Sequence, residues 1–299
     1  MKKILIVFSI IASLCSCQKD VDLKVPEQPS LLAVNAVWQE NQVLTVAVSR
    51  TLNIKDKPRW NEQEAYYVTN ADVKVFKDNM LYDQLTYNAQ EHKYISSSGK
   101  LAVPGSTYSV KVVAPGFTEA TTTPVGFLEK VPITSLTFRK NVGKDDYGQM
   151  VDEIKIEFND PPQVKNFYLM KIQRDQFQSE QSVFPLTKDV VVPLGEDPLE
   201  TMSRVPANRI IFTDQAFDGQ HSKSMVIRVP SYYLRDWQDP DNVIGTISLF
   251  NVSEDVFLYN RSRILDTENP FAEPVQIHTN IFNGVGVFGL LSGEAKELQ

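Results

Sequence analysis

Cysteine is nearly absent from this chain. Of 299 residues only two are cysteines, Cys15 and Cys17. Two thiols separated by one residue make a poor structural bridge, and no third lies further along, so a disulfide framework is excluded. A cysteine-built zinc site is excluded with it. Histidine is almost as scarce: His92, His221 and His278 are the only three, and they are too far apart in sequence to share a metal-ligand spacing. Neither a G-x-S-x-G elbow nor an H-E-x-x-H pair occurs. Excess positive charge is missing too. Lys and Arg number 30 against 37 Asp and Glu, a net charge of −7, which disfavours non-specific binding to nucleic acid or anionic lipid. Long apolar runs are also lacking. Ile4 to Leu14 is the longest, short of the roughly 20 residues that a spanning helix needs.

What is present is the material of a sizeable core. Apolar residues make up 42% of the chain and aromatics 10%, with 22% charged, an ordinary globular balance.

The N-terminus reads as an export leader. Lys2 and Lys3 supply the positive start, Ile4 to Leu14 the apolar segment. Leu14-Cys15-Ser16-Cys17 then resembles a bacterial lipobox, in which the final thiol takes a diacylglyceryl group as a thioether before cleavage. Residues 1–16 are thus expected to be a lipoprotein signal peptide. Residues 17–29, with Pro26 and Pro29, form a lipidated tether. With Cys17 modified, no free thiol remains.

Strand signals recur from Ser30 onward. Leu31 to Trp38, Val43 to Ser49, and a hairpin of Asp72 to Lys77 and Met80 to Tyr82 around Asp78-Asn79 follow one another. Thr107 to Val113 and Thr118 to Thr123 flank Pro115-Gly116. About seven short strands in this span predict an immunoglobulin-like or fibronectin-like β-sandwich over residues 30–126. A second β-rich domain is expected over 127–299. In it Asp152 to Phe158 alternates with period two, with further strands at 166–173, 209–213, 225–229 and 243–251. Ser253 to Ser262 is the best helix, with Ser253 as N-cap and Glu254 and Asp255 in its first turn. Val256, Tyr259 and Arg263 fall on one face of it. The fold class expected is therefore mainly β with one or two short helices.

Five stretches carry a resemblance. They are the leader with Lys24-Val25-Pro26 and Leu31 to Ala36; Ala71 to Phe76; Phe158-Asn159-Asp160-Pro161-Pro162 with Asn166-Phe167-Tyr168; Phe212-Thr213-Asp214 with Phe217-Asp218-Gly219; and Ser253-Glu254 through Asn269 to Pro274 to Asn283 to Gly289. In order and spacing they resemble a family of Bacteroidota lipoproteins known as domain of unknown function 4249, over nearly the whole chain. The resemblance implies an outer-membrane or surface lipoprotein, often encoded beside a TonB-dependent transporter. It implies an immunoglobulin-like first domain and no established activity or catalytic residues.

Other candidates have ordinary readings beside the functional one. Gly284-Val285-Gly286-Val287-Phe288-Gly289 fits G-x-G-x-x-G, but too little chain follows to build a dinucleotide-binding unit. A closing strand with glycines for a bulge or close packing is expected instead. Asp236, Asp239 and Asp241 with Asn242 could offer oxygen ligands to calcium, or simply form an Asp-rich turn. Asp214 and Asp218 sit in a loop where such residues usually cap turns. Arg59, Trp60, Tyr66 and Tyr67 are the best aromatic recognition surface, although Tyr66-Tyr67 could equally open a strand.

No metal, cofactor or catalytic group is expected, and the chain is read as a non-enzyme. Three functions stay open. A non-catalytic accessory of a TonB-dependent transporter would show a large apolar face. A free-standing glycan- or peptide-binding module would show a concave, aromatic-lined groove. A cryptic hydrolase would show buried carboxylates or histidines in a cleft. Lipidation has its own test: Cys17→Ser should abolish palmitate labelling and release the protein from the membrane fraction, and undiminished labelling would contradict the lipobox assignment.

Overall fold

Period-two alternation turns one face of a strand toward a core, as it does along Leu32–Gln39, Thr45–Arg50 and Thr107–Val113. The computed structural model describes residues 29–52, 66–144, 148–174, 209–215, 217–219, 223–236, 239, 242–265 and 276–298. The leader, Cys17 and the tether up to residue 28 lie outside them. The architecture is mainly β, dominated by one large curled sheet.

The strands in chain order are β1 (Leu32–Gln39), β2 (Thr45–Arg50), β3 (Asp72–Lys77), β4 (Met80–Asn88), β5 (Lys93–Ile95), β6 (Thr107–Val113), β7 (Ala120–Thr122) and β8 (Val125–Gly126). They continue with β9 (Ile133–Lys144), β10 (Met150–Phe158), β11 (Phe167–Arg174), β12 (Arg209–Thr213), β13 (Lys223–Pro230), β14 (Gly245–Val252), β15 (Ile281–Phe282) and β16 (Gly284–Glu297). The helix α1 spans Glu254–Leu265, and a short 3-10 turn spans Ser231–Leu234. The large sheet runs β12-β11-β14-β16-β1-β2-β5-β4-β3-β6-β7-β15, with β8 on β6; a second sheet runs β13-β10-β9.

The hairpin expected at Asp78-Asn79 forms with both residues at positive φ, 51° and 64°, the backbone that matches the twist of paired strands. Asp152 to Phe158 alternates as expected at Ile154, Ile156 and Phe158, which are fully buried. Asp152 and Glu153 are buried as well. A register shift between Val151 and Glu153 on the β9 side allows it. Asp152 accepts two bonds from Arg235 (Nε 3.0 Å, Nη2 2.8 Å), one from the Ser231 hydroxyl (2.8 Å) and one from the Asn141 N–H (2.8 Å). Glu153 lies between Arg139 and Arg228. The hydrogen bond from Arg139 holds its carboxyl below the usual range, against the opposing effect of burial.

Three apolar clusters result among the described residues. The first lies inside the curl of β1 to β7, around Trp38, which meets Tyr108 and Phe288 edge-on with ring centroids at 6.0 and 5.1 Å. The second fills the space between the small sheet and β11, β12 and β14. The third is on the opposite face of that end of the large sheet, beneath α1, where Phe167 meets Phe257.

One strand serves all three. β16 pairs in parallel with β1, from Leu32↔Gly284 to Gln39↔Leu291. It then pairs antiparallel with β14, from Val252↔Leu291 to Thr246↔Glu297. Phe288 and Leu290 enter the first cluster, Val287 and Leu291 the third, and Leu298 just beyond the strand enters the second. The last strand thus crosses the division expected at 126/127, since residues 281–290 contribute to the core of the first half. Its glycines are used for close approach, as expected. Gly286 has φ +113°, and a Cβ there would fall 2.1 Å from the Val34 carbonyl oxygen; at Gly289 it would fall 2.2 Å from Val256 of α1.

Gly286→Ala should therefore lower unfolding stability by at least about 1–3 kcal/mol, the usual cost of a strained backbone position. Gly148→Ala, also at positive φ but in open space, should cost less. Urea unfolding of the two variants measures the difference.

Candidate functional site

A hollow lies on the face of the large sheet opposite the first two clusters, along β5-β2-β1-β16-β14-β11; α1 forms one wall of it, and part of the third cluster lies in its floor. The resulting trough has a volume of about 780 Å³. Alternation explains its floor. In β1, Val34, Ala36 and Trp38 point into the first cluster, which leaves Asn35, Val37 and Gln39 facing the trough. In β11, Met170 and Ile172 point into the second cluster, leaving Leu169, Lys171 and Gln173 on the trough side. Strand register sets these residues in rows: Asn35 opposite Val287 and Ala47, Lys171 opposite Ser248, and Ser248 opposite Ala295.

The wall comes from the face of α1 that its sequence marks out. Val256, Tyr259, Asn260 and Arg263 all line the trough. Ser253 stands where an N-cap is expected, its carbonyl accepting from the N–H groups of Val256 and Phe257. Its hydroxyl is turned toward β16 and accepts from the Leu290 N–H at 3.4 Å, while its own N–H donates to the Leu290 carbonyl at 3.2 Å. Helix and floor are therefore fixed to each other at one residue.

The charged side chains of the trough are all basic, and its lining mixes polar residues with apolar ones such as Val37, Leu169 and Phe250. Lys93, Lys171 and Arg263 line it, and no Asp, Glu, His or Cys does among the described residues. Two of the cations rest on aromatic faces. The Lys171 ammonium is 5.5 Å from the centroid of Phe250, and the Arg263 guanidinium is 5.7 Å from that of Tyr259, within reach of cation–π attraction. Among the described residues the aromatic lining is Phe250 and Tyr259, fewer aromatics than in the aromatic-lined groove expected of a glycan- or peptide-binding module.

The loops after β10 and β12 build a second feature. They bring Asp160, Asp214 and Asp218 together, with one carboxylate oxygen from each within 4.8 Å of the others. Asp160 and Asp214 are buried and Asp218 is exposed. Each already accepts from the protein. Asp160 takes the Tyr168 hydroxyl at 2.5 Å and the Gly219 N–H at 2.8 Å. Asp214 takes the Asn166 N–H at 2.6 Å, and Asp218 takes the Gln163 N–H at 3.0 Å. Asn251 of β14 extends the network, donating to Asn166 Oδ1 and to the Glu129 carbonyl. The group is a clasp that pins the 159–166 loop to the 214–219 turn. Its oxygens are also the donor type that a hard cation takes. Burial raises the Asp160 carboxyl above its ordinary range; the bonds from Tyr168 and Gly219 oppose this, and the charges of Asp214 and Asp218 add to it. The Tyr168 hydroxyl is pushed far up by its own burial and by Asp160. None of the three carboxylates lines the trough.

The other sequence candidates are dispersed. Tyr67 bridges to Ser49 and stacks on His92 at 4.5 Å, and Tyr66 is half-buried beside it. Arg59 and Trp60 lie outside the described residues, as do Asp241 and His221. Asp236 and Asp239 belong to a turn closed by backbone bonds with Asn242. His278 lies against α1, with Nε2 2.8 Å from Asp255 Oδ1. Sequence reasoning did not find the trough, because it depends on which strands are neighbours. The usable signal was the polar alternate positions of β1 and β11.

The family model described as a domain of unknown function (DUF4249) matches residues 18–297, and the chain belongs to that family. A search of curated proteins returned no match. A crystal structure of a Corynebacterium diphtheriae protein described as membrane anchored is similar at 10% identity and a TM-score of 0.21. The alignment covers 88% of this chain, which spans only 60% of that protein's length.

Tyr168→Phe tests the clasp. Asp160 has a raised folded-state pKa, so its contribution to stability is full below the unfolded pKa and is lost as pH rises through the folded value. Removing the hydroxyl raises the folded value further. The variant should lose about 1–3 kcal/mol, with a larger deficit at pH 8 than near pH 4.5 in denaturant titrations. A deficit that does not change with pH would count against this role for Asp160.

Proposed function

We propose that this chain is a lipid-anchored envelope protein whose body is a non-catalytic binding module, presenting its trough to a ligand beside a TonB-dependent outer-membrane transporter. The observation that carries this is the trough itself: a wide sheet face, walled by a helix, lined by amides, hydroxyls, cations and apolar side chains, with no carboxylate, imidazole or thiol among the described residues. Such a surface offers hydrogen bonds and charge to a ligand but no paired acid and base for bond cleavage. The lipobox at Leu14-Cys15-Ser16-Cys17 supports the anchor, and acyl chains on Cys17 would hold the body at the outer membrane. No helix among the described residues is long and apolar enough to cross a membrane. The immunoglobulin-like reading of residues 30–126 belongs to the same proposal, supported by the succession of short antiparallel strands around Trp38.

A hydrolase reading has one observation in its favour, the Asp160, Asp214 and Asp218 cluster. It is the weaker reading, since these carboxylates lie apart from the trough lining and are engaged by protein donors. A free-standing module without a transporter differs only in its partner. The most exposed large apolar side chains sit away from the trough, with Met80 and Leu81 at the hairpin tip and Phe282 on β15, while Val37 is exposed within it.

Affinity purification of the lipidated chain from native membranes in mild detergent should recover a large β-barrel protein with it. Repeated recovery of the chain alone would overturn the transporter part of the proposal.

A further inference from the structure

We infer that the trough is a site for an anionic oligosaccharide, held along β5-β2-β1-β16-β14-β11. This deepens the binding-module reading above and rests on it. The first observation is a reversal of charge. The chain as a whole is acidic, at −7, yet Lys93, Lys171 and Arg263 line the trough and no carboxylate does among the described residues. Lys93 lies toward the β5 end, Lys171 on β11 toward the other, and Arg263 on the helical wall, so positive charge is spread along the hollow. Glu297 shares the sheet face two residues beyond Ala295 but is outside the lining. A concave surface of one sign concentrates ligands of the other.

The second observation is the neutral polar part of the lining, set among apolar side chains such as Val37, Leu169 and Phe250. Asn35, Gln39, Gln42 and Gln173 present carboxamides, and Thr45 and Ser248 present hydroxyls. A carboxamide offers both donor and acceptor, which suits a ligand covered in hydroxyl groups. Tyr259 adds a half-buried ring on the wall. Five steps between neighbouring strands give a hollow roughly 24 Å across, long enough for a chain of several sugar rings.

The third observation excludes the commonest way of holding a peptide. An extended peptide joins a sheet at an unpaired edge. Every strand from β2 to β14 along the trough is paired on both sides, and β5 and β11 are paired to β4 and β12. The floor therefore offers side chains and no free backbone ladder. The ligand class these features share is a hydroxyl-rich chain carrying repeated negative charge.

The test uses the full lipidated chain in detergent micelles and isothermal titration calorimetry. The probes are a carboxylated oligosaccharide (oligogalacturonate), a sulfated oligosaccharide, a neutral gluco-oligosaccharide of similar length, and an oligoglutamate peptide. At least one anionic saccharide should bind, more weakly as salt is raised, and the neutral chain should bind at least tenfold more weakly. Which anionic chain binds separates carboxylate from sulfate as the group recognised. Lys93 and Arg263 are both exposed, so the double variant Lys93→Glu, Arg263→Glu should keep the parent's melting temperature while losing at least tenfold in affinity. A melting temperature that falls sharply would be met with Lys93→Gln, Arg263→Gln, for which the same loss is expected. Unchanged affinity in the charge variants, equal binding of the neutral chain, tighter binding of the peptide, or no binding of either anionic chain would each overturn the inference. Neutral-chain binding that disappears in a Gln39→Ala, Gln173→Ala variant would retain the binding module and remove only the anionic class. Co-purification of a β-barrel is read independently of all these outcomes.

Discussion

The arrangement depends on the pairing of one strand, β16. Its first half lies parallel to β1 and its second half antiparallel to β14, so the strands of the first half and those of the second become one sheet. Parallel pairing of the first and last strands is a long-range contact, with its closure entropy set by most of the chain. The return is burial: Phe288, Leu290, Val287 and Leu291 are all buried, and each such side chain contributes about 1.5–3 kcal/mol. The glycines between them let the β1 backbone and α1 come close. The trough follows from this pairing, because its floor is made of strands from both halves.

Polar burial is concentrated in the second half. Asp152 with Arg235, Glu153 with two arginines, and the Asp160 clasp all sit around the second cluster. Ion pairs of this kind add little net stability compared with apolar replacements, but losing one partner is costly because a charge is then stranded. Their geometry points to specificity. Asp152 joins β10 to the 3-10 turn and to β9, and Asp160 and Asp214 join the loop ahead of β11 to the end of β12. Each pair of carboxylate and donors allows one register between elements that apolar packing alone would leave able to slide.

Local structure was largely legible in the sequence. The Asp78-Asn79 hairpin, the alternation of Ile154, Ile156 and Phe158, the helix after Ser253 and the glycine-bearing last strand all follow from short-range rules of periodicity and turn chemistry. The resemblance through Asp160, Asp214 and Asp218 marked the clasp without showing that the two stretches meet. What could not be read were facts of adjacency. Nothing local says that Gly284 lies beside Leu32, or that Lys93, Lys171 and Arg263 share a hollow. Period two puts Asp152 on the face of Ile154, but nothing local shows the arginines that meet Asp152 and Glu153 or the extra residues of β9 opposite them. The trough stayed hidden because each of its polar residues is ordinary in its own strand.

By pairing with both β1 and β14, β16 binds the two halves into one cooperative body and so builds the trough. Native-state hydrogen exchange tests it most directly. Backbone amides of Leu32–Gln39, Gly284–Leu291 and Thr246–Val252 should share one slow opening, with the same denaturant dependence. Amides of β1 exchanging through an opening that leaves β14 and the end of β16 protected would contradict it.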